Sequence, residues 1–123
     1  MQHQAALAYQ QTAKTVESPR EREAALLVRS ASMLQNIQDN WSSQSERLSA
    51  ALTFNRKLWT VFLTSATNED NPLPREVRQN IANLGIFILN QTREILLAPE
   101  PAKLDVLVQI NRQIAAGLRA QAA

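Results

Sequence analysis

A chain of 123 residues is long enough for one domain that buries about two-thirds of its unfolded surface. Its apolar share of 45%, with 20% charge, excludes global disorder, and two glycines with five prolines favour helix nearly everywhere. The absence of cysteine excludes disulfide and thiolate chemistry, and a net charge of +2 is too small to mark a polyanion-binding protein by charge alone.

The first predicted element spans about residues 4–15. It is Ala-rich, with a sparse stripe of Ala5, Tyr9, Thr12 and Val16, so it needs a surface to dock on. The opening "MQHQAALAYQQTAKT" has no basic segment followed by an apolar run, so no secretory signal is expected there. "SPRE" then marks a helix start. Ser18 suits the cap, Pro19 the first helical position, and Glu21 the capping-box position three residues on. The helix that follows carries Ala24, Leu27, Val28, Ala31, Leu34 and Ile37 on one face.

"DNWSSQSE" breaks this helix, and Ser43 with Glu46 repeats the capping-box spacing to start a third one running to about Thr67. "NEDNPLP" is a turn, with Pro74 near the first turn of a fourth helix that ends near Leu97 before "APEP". A fifth helix occupies about 101–120. Short connections predict that sequential helices pack antiparallel. The expected fold is therefore all-α: one domain over 1–123, a bundle of four main helices plus the short segment within 1–17.

Helical wheels at about 100° per residue show two unusually wide apolar arcs of about 200°. In the third helix the arc runs from Val61 and Phe54 through Leu58, Phe62, Leu48 and Trp59 to Leu63. In the fifth it runs from Val106 and Ile110 through Ile114, Leu107 and Leu118 to Val108. Each arc holds an asparagine, Asn55 and Asn111, with the following Arg56 or Arg112 turned to the polar side. A buried amide without a partner costs about 1–3 kcal/mol. These two are expected to bond to a helix-end backbone group or to each other, fixing which helix packs where. The alternative is a polar contact to a bound partner.

Groups that ionise or attack are scarce. The sole histidine, His3, lies near the start, and carboxylates such as Glu21, Glu46 and Glu76 fall in helical first turns, where the helix dipole explains them. No Cys, His or carboxylate cluster has metal-ligand spacing, and no glycine-rich loop exists, since Gly85 and Gly117 fall inside helices. Gly85 is expected to allow close helix packing. The reading is a protein that is not an enzyme, with no cofactor and no metal. Basic residues (Arg20, Arg22 and Arg29; Arg56, Lys57, Arg75 and Arg78) read as solvated faces, diluted by Glu17, Glu21 and Glu23 and without an aromatic ladder for nucleic acid. The longest apolar run, Ile86 to Leu89, is too short for a membrane span.

These residues also carry a likeness. "AYQ" at 8–10, "ESPRE" at 17–21, "AL" at 51–52, "NRKLW" at 55–59, "NPLP" at 71–74, "INRQI" at 110–114 and "GL" at 117–118 resemble, in order and spacing, the FlaF family of bacterial flagellar biosynthesis regulators. One departure is "NLGIFIL" at 83–89, with glycine and phenylalanine where the family pattern suggests a small residue and often a tryptophan. The resemblance implies a cytoplasmic chaperone that binds unexported flagellin and promotes its synthesis and secretion, opposing the translational repressor FlbT. It carries no active-site residues. A helix-in-groove contact suits flagellin's terminal segments, which are amphipathic helices in the filament and disordered when free. The partner-binding positions expected from the apolar arcs are Phe54 and Val61 on the third helix and Val106 and Ile110 on the fifth, with Tyr9 on an element able to cover or extend the groove. Two other classes stay open: an RNA-binding regulator of flagellin messenger, and a structural bundle whose wide arcs bury each other in a homodimer.

Overall fold

The computed structural model describes residues 18–122. The predicted element at 4–15, including Tyr9, lies outside the described residues. From Ser18 onward the chain is helical almost throughout, and no described residue is in a strand. Helix α1 spans Pro19–Asp39. The Ser18 hydroxyl oxygen accepts from the Glu21 amide at 3.1 Å, and Pro19 takes the first turn. This cap is the one read from the sequence.

The second capping box does not form. Trp41–Gln44 is a single helical turn, α2, followed by a 3-10 turn over Ser45–Arg47. The Ser43 hydroxyl donates to the Asn40 carbonyl at 3.3 Å instead of capping. Helix α3 starts only at Leu48 and runs to Ala66, with Arg47 at its cap position and no side-chain cap. The physical reason is competition: Asn40 bonds back to the Asn36 carbonyl at the end of α1, which keeps the chain coiled through the corner.

Asn68 and Asn71 build the next turn by accepting from the Asp70 and Leu73 amides, each at 2.9 Å. Leu73 is thereby turned inward and buried. Pro74 caps helix α4, Arg75–Leu97. Pro101–Leu104 is a 3-10 turn, and helix α5 follows over Asp105–Ala122.

The packing order departs from simple sequential pairing. Helices α1 and α5 share the largest interface, followed by α3 with α4 and α1 with α3, whereas consecutive α4 and α5 scarcely touch. Helices α1 and α5 run antiparallel. Glu21 near the start of α1 lies 3.5 Å from Arg119 near the end of α5, and Gln38 near the end of α1 donates to Pro101 and Asp105 at the start of α5, at 2.8 and 2.7 Å. Leu27, Leu34, Leu52, Trp59, Ile88, Ile95, Leu104 and Leu107 are fully buried where the four long helices meet. The Trp59 and Phe62 rings meet edge to face with centroids 5.6 Å apart.

Candidate functional site

The two asparagines occupy the centre of this core, each 0% exposed. Asn111 Nδ2 donates to Asn55 Oδ1 at 2.7 Å, the second of the two kinds of partner expected for them. Two further donors complete the network. Ser30 Oγ donates to the same Asn55 oxygen at 2.8 Å, and Trp59 Nε1 donates to Asn111 Oδ1 at 2.8 Å. One oxygen therefore ties α1, α3 and α5 together. Asn55 Nδ2 is buried without a partner, a cost of about 1–3 kcal/mol carried by the rest of the network. With no access to the surface, these amides bond across the core and fix the relative placement of the helices.

Among the described residues no group of three or more His, Cys, Asp or Glu could hold a metal ion. No described helix is long and apolar enough to cross a membrane.

The residues expected on the apolar edges of α3 and α5, Phe54, Val61, Val106 and Ile110, line none of the main surface depressions. Phe54 is half-buried at the α1–α3 seam, where the Arg29 guanidinium sits 5.6 Å from its ring centroid and covers it. Val61, 64% exposed, stands on that same edge of α3, two turns along. Val106 and Ile110 are half-buried against the core, on the strip of α5 that continues to Ile114.

That strip forms one wall of a groove. Because α4 and α5 make so little contact, a channel of about 560 Å³ runs between them. Val77, Ile81 and Leu84 of α4 line it, at the four- and three-residue spacing that stacks side chains on one helical face. Ile114, Gly117 and Leu118 of α5 form the opposite wall, with Glu76, Asn80 and Gln113 at the rim. Ile110 and Val106 stand one and two turns before Ile114 on α5, outside the groove lining. Phe87, 44% exposed, stands one turn beyond Leu84.

Val77, Leu84 and Ile114 were not among the positions expected from the apolar arcs; they line this groove because α4 and α5 do not cover each other. A usable signal was present in Gly117, a small residue within an otherwise wide apolar arc. A side-chain carbon at Gly117 would meet nothing within 4 Å, so the groove is open at that point. Gly117→Ala is expected to stabilise the fold by about 0.5–1 kcal/mol, the helix-propensity difference, as read by thermal melt. Gly85 differs: a carbon added there would sit 3.5–3.6 Å from Leu63 and Trp59, at ordinary contact distance. It allows α3 and α4 to approach without being strictly required for it.

At the α1 end of the bundle a second depression, about 580 Å³, lies between Ser18, Pro19, Glu23 and the 68–73 turn. Burial raises the Glu23 carboxyl above its ordinary range, opposed by the charges of Arg20 and Arg22.

Fold and groove define a small all-α protein with a hydrogen-bonded polar centre and an apolar groove between α4 and α5. The chain belongs to the FlaF family: the family model for flagellar protein FlaF matches residues 5–118. Comparisons with curated proteins and with solved structures returned no match.

Proposed function

We propose that the protein is a cytoplasmic chaperone of unexported flagellin, which holds an amphipathic terminal helix of flagellin in the α4–α5 groove. By keeping that segment from aggregating it promotes flagellin synthesis and secretion, in opposition to the translational repressor FlbT. The observation that carries this reading is the groove itself: two facing apolar rows with a polar rim, left open between helices that their neighbours hold apart. A helix laid in it would meet anchors at the three- and four-residue spacing by which helix-in-groove complexes are recognised. Membership of a flagellar protein family supports a ligand from the flagellar system. Basic residues are dispersed, Arg29 over Phe54 and Arg78 against the Asn68 carbonyl at 3.2 Å, which disfavours a phosphate-tracking stripe.

Calorimetric titration of monomeric flagellin into the protein tests the reading, repeated as salt rises from about 50 to about 200 mM. Apolar burial is not screened, so affinity is expected to change by less than about threefold. An RNA-binding regulator would instead lose about 10³-fold or more over that range, if it made six or more phosphate contacts. A protein that ignores flagellin and binds the leader of its messenger with that salt response would overturn the chaperone reading.

A further inference from the structure

On the reading that the α4–α5 groove holds a partner helix, we propose that the helix it selects is basic-edged, with Lys or Arg flanking its apolar stripe. The ground for this is the way charge is divided over α4 and α5. At about 100° per residue, the α4 stripe that begins at Glu76 passes through Asn80, Asn83 and Phe87 and ends at Glu94. Glu76 and Asn80 line the groove, and no Lys or Arg does.

The arginines of both helices stand elsewhere. Arg75, Arg78 and Arg93 fall about 100–160° round α4 from Glu76, and Arg112 and Arg119 fall about 140–160° round α5 from Gly117. Arg119 is also engaged by Glu21 at 3.5 Å. Arg75 shares a separate depression on α4 with Glu76, but the two form no ion pair. The groove face of the two helices is therefore apolar and acidic.

A third carboxylate stands beside the groove. Glu23 of α1 lines a narrow gap with Ile81, Ile114 and Leu118, three residues that also wall the groove. Burial raises its carboxyl above the ordinary range, although the charges of Arg20 and Arg22 oppose the shift. A partner cation brought to this gap would favour the ionised form that the apolar walls disfavour.

The net charge of +2 pulls the other way. Attraction to the molecule as a whole would favour an acidic helix, whereas the field of the groove face favours a basic one. Spacing sets the length of the occupant. Glu76 and Glu94 stand 18 residues apart, about 27 Å along α4, so a helix of about five turns with a cation near each end would meet both. Exposed ion pairs add little beside apolar burial, so they choose among helices without making affinity steeply salt-dependent.

The test titrates two peptides of about 18 residues into the full chain by calorimetry. Both carry the same Leu stripe at three- and four-residue spacing; one has Lys at the flanking positions and the other has Glu. The Lys peptide is expected to bind about tenfold tighter and to shift the Val77, Leu84, Ile114 and Leu118 methyls. Glu76→Lys, first shown to melt cooperatively, should narrow that preference by about threefold or more, and the milder Glu76→Gln by about twofold. Glu46→Lys makes the same charge change in the turn before α3 and should leave the preference within about twofold. Equal affinities, a preference for the Glu peptide, no binding of either peptide, or methyl shifts that avoid the groove would each overturn the proposal. Equal losses in the Glu76→Lys and Glu46→Lys variants would also overturn it, by assigning the preference to overall charge. Flagellin titrations keep this outcome apart from the chaperone reading. Flagellin that binds wild type and Glu76→Lys alike would overturn the basic edge and leave the chaperone reading in place. Flagellin ignored by a protein that selects the Lys peptide would remove the chaperone reading and leave the basic-edged helix as the ligand of the groove.

Discussion

Asn55→Ala should destabilise the protein by about 2–4 kcal/mol, lowering the melting temperature by about 10 °C. The substitution removes one oxygen that two donors share, Ser30 Oγ at 2.8 Å and Asn111 Nδ2 at 2.7 Å. Both are left in a core where Asn55 and Asn111 are fully buried, and each stranded donor costs about 1–3 kcal/mol. Loss of the already unpartnered Asn55 Nδ2 returns part of that, while the emptied volume adds to it. Asn55→Leu fills the space but strands the same donors, so a milder loss is expected. Pairing it with Ser30→Ala should recover part of that loss, since one stranded donor is removed with the acceptor while Asn111 Nδ2 stays unpaired. Thermal and urea melts decide the matter. Single variants that melt like wild type, with partner binding lost, would make Asn55 an interface residue and overturn its structural role.

Leu84→Asp and Ile114→Asp should each weaken flagellin binding by about 30-fold or more, equivalent to about 2 kcal/mol at an apolar anchor. Both side chains are half-buried on facing walls of the groove, where a helix laid between them would desolvate an introduced carboxylate. Val61→Asp supplies the comparison. Val61 is 64% exposed and stands on the α1–α3 side, so its variant should keep affinity within about twofold, the range normal for a surface change away from a site. Calorimetry on variants first shown to melt cooperatively separates the two outcomes. Full affinity in both groove variants, with loss in the Val61 variant, would move the site to the α3 edge and end the groove reading.

The helical fold and its ends were largely legible in the residues. Ser18, Pro19 and Glu21 carry a start signal whose chemistry is complete within four residues, and the turn at 68–73 is made by asparagines acting on amides two positions away. Such local bonds depend little on the rest of the molecule, so reading them needs no tertiary knowledge. The corner at 40–47 shows the limit. Ser43 and Glu46 have the right spacing, but Asn40 also bonds locally, and α1 continues into the turn.

The buried asparagines belong between these cases. Apolar periodicity alone placed Asn55 and Asn111 in the core and left a helix-end backbone group or each other as partners, of which the structure shows the second. It could not supply Ser30 and Trp59, which reach the same two amides from different turns and helices. The site depended on tertiary structure altogether. Wide arcs on α3 and α5 announced surplus apolar surface, but the assignment of that surface rested on which helices become neighbours. Sequence order favours α4 against α5, since only a short connection must be closed between them. In the folded chain α5 instead spends its broadest face on α1 and its central asparagine on α3, so the α4–α5 seam stays open. One-dimensional periodicity states how much of each helix must be covered; which partner covers it is settled by competition among all four helices for the same core.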